Sequence, residues 1–138
     1  MGTRPQIHEF EVAVDRDGTA RSGLGGREIA REDAWWAEHL VLAGLVRCTL
    51  ASLAHAARRA ELEASAEGSA RGTVTKRDED GLYAFVEIES SLNVEVSPAP
   101  ERAAITALLD WTERGCFVGN SLTAKPRYRW TVNGEEFR

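Results

Sequence analysis

Cysteine is scarce in this chain, since only Cys48 and Cys116 occur among its 138 residues. Two cysteines are too few for the disulfide framework of a small secreted protein, and no Cys/His cluster surrounds either of them to hold zinc. We therefore expect no metal and no other cofactor. The two thiols themselves become the residues to explain.

Basic runs and long apolar runs are also missing. The net charge is −5, and no stretch of Lys and Arg is available to contact phosphates, which argues against nucleic-acid binding. The N-terminus does not lead into the apolar segment of a signal peptide. The apolar run at 40–46 is far shorter than the roughly 20 residues that span a bilayer. We expect a cytoplasmic protein that binds neither nucleic acid nor membrane.

The chain length favours a single domain over residues 1–138, built around one long helix. The stretch 38–56 contains no proline and is rich in Ala and Leu, which favour helix. Asp33 is the predicted N-cap, and the helix is expected to end near Arg59. Because apolar residues cover nearly every direction of 40–46, we expect this helix to be buried on all sides, with Cys48 in its middle.

A β-hairpin is predicted before the helix. Residues 7–14 place Phe10, Val12 and Val14 on one side, the alternation of a half-buried strand. Asp15-Arg16-Asp17-Gly18 is a hairpin-turn signal, and a return strand is expected at 19–23, followed by a loop.

A second hairpin is predicted after the helix. A polar-faced strand runs from 61 past Gly68 toward 74, and a charged loop occupies 76–81. The clearest strand is 82–96. Its alternate residues are expected to face inward: Leu82, Ala84, Val86, Ile88, Ser90, Leu92, Val94 and Val96.

The C-terminal part is predicted to contain a helix and one more strand. Pro98 and Pro100 end the preceding strand, and an amphipathic helix follows at 101–114 with Gly115 in the C′ position. Its buried stripe is expected to be Ala104, Ile105, Leu108, Leu109 and Trp111. A strand at 127–132 then leads through an Asn-Gly turn into a short tail. This order of elements predicts an α+β fold.

The pattern around the cysteines resembles the OsmC/Ohr family, which comprises osmotically inducible protein C and organic hydroperoxide resistance proteins. Its helix carries an acid ten residues before a cysteine that Thr or Phe follows, and Glu38, Cys48 and Thr49 match this pattern. Cys116 matches the family's second cysteine, which lies after the amphipathic helix and before the last strand. The order of elements fits the family over nearly the whole chain.

Two positions depart from the family pattern. The Asn-Pro that usually precedes the acid is Trp36-Ala37 here, and the Pro that often follows the second cysteine is Phe117. These departures leave the subfamily open, while Thr49-Leu50 favours the OsmC branch.

The resemblance implies an OsmC-like fold, in which antiparallel strands wrap the long central helix, and an intertwined homodimer with active sites at the interface. It implies a thiol peroxidase that reduces organic hydroperoxides, with Cys48 as the peroxidatic cysteine and Cys116 as the resolving one. Glu38 matches the acid that orients a catalytic arginine. Arg16 is the best match for that arginine, and Arg21 is the fallback.

The chemistry requires Cys48 to be a thiolate, because the thiolate attacks the O–O bond. A free thiol has a pKa of about 8.5, and burial disfavours the charged form further. A nearby guanidinium such as that of Arg16 is therefore needed. Glu38 lies about 15 Å of helical rise from Cys48, so either an arginine bridges them or Glu38 comes from a second subunit.

The sulfenic acid on Cys48 is expected to condense with Cys116, and an external dithiol or low-molecular-weight thiol would reopen the disulfide. Apolar walls for the substrate are expected from Trp35, Trp36, Leu45 and Phe117. Two alternatives stay open. One is a non-catalytic OsmC-fold protein that binds an apolar ligand or senses oxidation; the other treats both cysteines as inert core residues of a structural homodimer.

Overall fold

A computed structural model describes residues 4–137; residues 1–3, part of the N-terminus inspected for a signal peptide, and residue 138 lie outside the described range. The chain forms two compact units, Met1–Ala37 and Glu38–Arg138.

The first unit contains the predicted hairpin in a shorter form. Strands β1 (Val12–Val14) and β2 (Ala20–Ser22) pair antiparallel, and the Gly18 N–H donates to the Asp15 carbonyl at 2.9 Å across the turn. The expected half-burial of β1 is wrong for the single chain, because Phe10 is 80% and Val12 75% exposed.

The second unit is an α+β fold, as predicted. In chain order its elements are α1 (Ala37–Arg59, which starts at the last residue of the first unit), β3 (Glu63–Lys76), β4 (Tyr83–Ser97), α2 (Arg102–Arg114), α3 (Phe117–Ser121), β5 (Arg127–Val132) and β6 (Glu135–Phe137). The sheet order is β3-β4-β5-β6. The sheet is mixed, since β4 and β5 run parallel while the other neighbours are antiparallel. A parallel pair needs a crossover connection, and α2 and α3 supply it.

Helix α1 ends at Arg59 as predicted, but it begins at Ala37, and Asp33 lies in a turn before it. The burial on all sides is wrong for the single chain: Leu45, Thr49, Leu53 and Ala57 form one buried stripe, whereas Leu40 is 46% exposed. A spacing of four residues keeps this stripe on one face of the helix, which is the face packed on the core. By length and composition this helix is long and apolar enough to cross a membrane, a test that core helices of soluble proteins also pass.

Two apolar clusters fill the second unit. The larger core joins α1, α2 and the sheet through Leu53, Ala57, Leu92, Val94, Val96, Ile105, Leu108, Leu109, Trp130, Val132 and Phe137. The smaller cluster, here named the cysteine core, has Leu45, Ile88 and Cys116 fully buried, with Cys48, Leu42, Phe85, Val118, Leu122 and Ala124 packed against them.

The inward alternation predicted for β4 holds from Ile88 to Val96 and fails nearer the hairpin loop. Thr73 pairs with Glu87 and Val74 with Phe85, so Val86 is an extra residue in β4. This bulge shifts the alternation. Phe85 therefore packs on the cysteine core, and Val86 is 40% exposed.

Helix α2 differs from its prediction in detail. Ala104 and Trp111 are exposed, and Thr112 takes the buried place expected for an apolar residue. Gly115 caps the helix with φ −89°, so no left-handed conformation is involved. Its role is close packing, because a Cβ there would lie 2.7 Å from the Ser52 Oγ of α1.

Two C-terminal elements were absent from the prediction. Residues after Cys116 form the short helix α3, and the predicted tail after the Asn-Gly turn returns as β6, with Val132 paired to Glu135. Both elements are short, and a five-residue helix or a three-residue strand leaves too few positions to show a periodic pattern.

Candidate functional site

The two cysteines meet in the cysteine core. Cys48 lies on α1 and is half-buried, while Cys116 lies between α2 and α3 and is fully buried. Both are free thiols. The fold thus joins two residues far apart in sequence, one reachable from solvent and one enclosed.

Backbone N–H groups of α3 contact both sulfurs. The Val118 N–H donates to Cys48 Sγ at 3.5 Å, and the Gly119 N–H donates to Cys116 Sγ at 3.4 Å. Glycine at 119 allows this close packing, because a Cβ there would lie 2.5 Å from the Tyr128 hydroxyl oxygen and 3.3 Å from Cys116 Sγ, and one of these groups would have to move. Helix α3, which the sequence pattern did not reveal, therefore holds the two thiols in a defined arrangement.

Burial raises the pKa of the Cys48 thiol above its ordinary value. The Val118 N–H lowers this pKa, and the neighbouring Cys116 raises it. Within residues 4–137 the largest influences on this thiol include no cation. The surroundings of Cys48 in the single chain therefore favour the protonated thiol.

Two hydroxyls complete the surroundings of Cys116. The fully buried Thr49 places its Oγ1 3.4 Å from Cys116 Sγ and donates to the Leu45 carbonyl at 2.8 Å. Burial raises the pKa of the Tyr128 phenol, and the neighbouring Cys116 raises it further, whereas Thr49 lowers it. In the sequence, Thr49 stands out only as part of the family pattern, and Tyr128 only as a residue of the predicted strand 127–132. The alternation of β5, which turns Tyr128 to the side of Trp130, was the one available signal.

The remaining predicted site residues are distributed over both units. Leu45 is fully buried in the cysteine core, beside the thiols, while Phe117 at the start of α3 is 54% exposed. Glu38 lies in the first turn of α1, ten residues before Cys48. Trp35 and Trp36 belong to the first unit and are 52% and 67% exposed.

The two candidate arginines, Arg16 and Arg21, both lie in the hairpin of the first unit. Arg21 is held by Asp15 at 3.0 Å and by a salt bridge to Glu28. Arg16 is exposed in the turn, and no ion pair involves its side chain within residues 4–137. The guanidinium of Arg16 is thus the one available for another partner.

Among residues 4–137, no group of three or more His, Cys, Asp or Glu side chains is arranged to hold an ion.

Solved structures of other proteins share this fold. Among solved structures, the chain is similar to an OsmC-like protein of unknown function from Vibrio cholerae O1 biovar eltor, with 15% identity, a TM-score of 0.76, and coverage of 90% of this chain and 99% of the other. An OsmC-like protein from Mycoplasma pneumoniae matches with 17% identity, a TM-score of 0.73, and coverage of 94% and 99%.

A third similar structure is the organic hydroperoxide resistance protein OhrB of Bacillus subtilis, with 17% identity, a TM-score of 0.57, and coverage of 91% and 96%. Among curated proteins, no sequence matches the chain. The model of the family described as OsmC-like protein matches residues 30–131, a span that includes both cysteines and Glu38. This chain belongs to the OsmC-like protein family.

Proposed function

We propose that this protein is a thiol-dependent peroxidase that reduces organic hydroperoxides to alcohols, with Cys48 as the peroxidatic cysteine and Cys116 as the resolving one. The observation that carries the proposal is the pair itself, a half-buried and a fully buried thiol in one small core, contacted by adjacent N–H groups of α3. Family membership and the hydroperoxide resistance protein among similar structures support a peroxide-related role.

The reaction has two thiol steps. The Cys48 thiolate attacks one peroxide oxygen, so that an S–O bond forms, the O–O bond breaks and the alkoxide leaves as an alcohol after taking up a proton. Cys48 is then a sulfenic acid. Cys116 displaces its hydroxide as water and forms the disulfide, which a dithiol or low-molecular-weight thiol reopens.

A cation must reach Cys48 for the first step to be fast. Burial raises the pKa of this thiol, and the described residues around it do not reverse the shift. A guanidinium that donates to the sulfur would do so. We assign this role to Arg16, because Arg21 is already held by Asp15 and Glu28.

A homodimer with active sites at the interface is part of this proposal. Glu38 lies about 15 Å of helical rise from Cys48 on the same helix, too far for direct contact. The exposed apolar residues on this helix, Leu40 and Val41, and on β1, Val12 and Val14, provide surface that a second copy would cover. Glu38 from that copy would orient Arg16, and Trp35, Trp36 and Phe117 would contact the substrate. A cytoplasmic location remains a prediction.

The direct test is intact mass after one equivalent of an organic hydroperoxide, on the wild type and on Cys116→Ser. We expect rapid loss of two hydrogens in the wild type, and a sulfenic or over-oxidised product in the variant. Arg16→Ala should slow the oxidation, whereas Arg21→Ala, which removes a guanidinium from the same hairpin, should slow it far less. An unchanged mass in both the wild type and Cys116→Ser would refute the peroxidase.

The second candidate function is a non-catalytic protein of this fold that binds an apolar ligand or senses oxidation. The raised pKa of Cys48 favours it, since a mostly protonated thiol reacts slowly. The two candidates differ in turnover: with peroxide and an excess of dithiol, the peroxidase consumes many equivalents, while the binding protein or sensor consumes one at most.

A further inference from the structure

The sulfur of Cys116 is enclosed, with none of its surface exposed to solvent. For this sulfur to act as a nucleophile it must lose its proton inside the core, where water cannot stabilise the negative charge. A buried anion is tolerated only when hydrogen-bond donors or a cation meet it. The groups around Cys116 therefore decide whether it can react.

Two polar groups lie at hydrogen-bond distance from this sulfur, and a third lies close to it. The first is the Gly119 N–H, which donates at 3.4 Å, and the second is the Thr49 hydroxyl at 3.4 Å. The third is the Tyr128 hydroxyl, which lies on the other side of the same glycine: a Cβ at position 119 would be 2.5 Å from its oxygen and 3.3 Å from Cys116 Sγ. The first is a fixed backbone donor, and the other two are hydroxyls that can rotate.

The hydroxyl of Thr49 has one hydrogen, which it can donate either to the Leu45 carbonyl or to Cys116 Sγ. While Cys116 keeps its proton, the S–H donates to Thr49 Oγ1, and the hydroxyl hydrogen goes to the Leu45 carbonyl at 2.8 Å. Once the thiol proton is lost, rotation of the same hydroxyl turns its hydrogen to the sulfur. Thr49 can thus serve both charge states without moving its backbone.

We propose that the Thr49 and Tyr128 hydroxyls and the Gly119 N–H form a three-donor cradle that stabilises the Cys116 thiolate as it attacks Cys48. The resolving cysteine is then activated by neutral donors. Its use in peroxide reduction rests on the function proposed above, but the cradle itself is a property of Cys116 and can be measured without peroxide.

In the peroxidase reaction the step is balanced as follows. The Cys116 sulfur forms the S–S bond to Cys48, the S–O bond of the sulfenic acid breaks, and the Cys116 proton leaves with the hydroxide as water. The Cys116 sulfur is oxidised and the Cys48 sulfur is reduced. Loss of a donor should slow this step and leave the sulfenic acid open to further oxidation.

The test uses an aromatic disulfide reagent that releases a coloured thiolate. The half-buried Cys48 attacks the reagent first and releases one equivalent while forming a mixed disulfide. Cys116 then attacks the sulfur of Cys48 and releases the second equivalent. The rate of the second release therefore reports the attack of Cys116 on Cys48.

We expect Thr49→Val and Tyr128→Phe each to slow the second release roughly tenfold or more, the effect of losing one hydrogen bond to a charged group. The first release should keep its rate, and Thr49→Ser should restore the second. The matched control is Thr112→Val. Thr112 is fully buried and donates to the carbonyl four residues earlier at 2.8 Å, as Thr49 does, but it lies in α2 and, within residues 4–137, it is hydrogen-bonded to neither sulfur.

Equal second-release rates in the wild type, Thr49→Val and Tyr128→Phe would overturn the cradle, and so would the absence of a second release in the wild type. A loss in Thr112→Val as large as in Thr49→Val would also overturn it, because the effect would then come from helix packing. If peroxide leaves the wild-type mass unchanged while the second release still depends on both hydroxyls, the peroxidase proposal fails and the cradle stands.

Discussion

Replacing Leu45 by alanine should lower the stability of the second unit and make Cys116 more reactive toward reagents. Its side chain is fully buried and packs in the cysteine core with Cys116 and Ile88. Leu45→Ala removes three carbon atoms, each worth about 0.8 kcal/mol on transfer from water, and leaves a void that adds to the loss. We expect the free energy of unfolding to fall by about 3–4 kcal/mol, within the range measured for buried leucines.

The same substitution should expose Cys116. The void lies beside its sulfur, so an alkylating reagent should reach Cys116 faster under native conditions, as followed by intact mass. Urea unfolding monitored by tryptophan fluorescence gives the stability, and the melting temperature should fall by about 10 °C.

Leu53→Ala is the matched control, because Leu53 lies on the same helix and is 1% exposed but belongs to the larger core. It should cost similar stability and leave Cys116 alkylation much closer to the wild-type rate. Equal acceleration in both variants would show that Cys116 is reached by general opening of the fold, and the proposed link between Leu45 and the thiol would be wrong.

Three further predictions concern glycine packing and pH. Gly44→Ala should stabilise the protein by about 0.5–1 kcal/mol in urea unfolding, because a Cβ there meets nothing within 4 Å; a loss instead would indicate another chain packed on this position. Gly115→Ala should destabilise it by about 1–3 kcal/mol, because its Cβ would lie 2.7 Å from the Ser52 Oγ; an unchanged midpoint would contradict this. Burial raises the pKa of Glu113, so its contribution to stability is greatest below its ordinary value of 4.5 and declines as pH rises through the folded pKa. Glu113→Gln should flatten that decline above pH 4.5, and an identical pH profile would refute the assignment.

Much of the fold could be predicted from residue patterns. The end of α1 at Arg59, the strand β5 and the hairpin of β3 and β4 follow from long periodic stretches and from proline at 98. The start of α1 and the exposure of Trp111 could not be predicted, because a capping residue and an apolar stripe each fit several positions. The bulge at Val86 also could not be predicted, because Phe85 and Val86 are both apolar and either of them could face inward.

Site residues that belong to a sequence pattern could be predicted, whereas residues that reach the site only through tertiary packing could not. The cysteine pair was found through its spacing from Glu38 and its place after the amphipathic helix. The hydroxyl of Tyr128 reaches Cys116 through the parallel pairing of β5 with β4, which no local pattern reports. The burial of Leu45 depends on which face of an apolar helix packs on the rest of the fold, and in the single chain only one stripe of α1 is buried.

The bulge in β4 also constrains how the long hairpin can assemble. In a strand with one uniform alternation, a slip of two residues along the partner keeps every side chain on its original face. Here Phe85 and Ile88 both pack on the cysteine core, on either side of the extra residue Val86. The inward-facing residues are therefore odd-numbered before the bulge and even-numbered after it, and the change occurs at Val86. A slipped pairing would therefore have to move the bulge along the strand as well. The bulge therefore fixes the register of β3 and β4, and this register is set next to the core that holds the thiols.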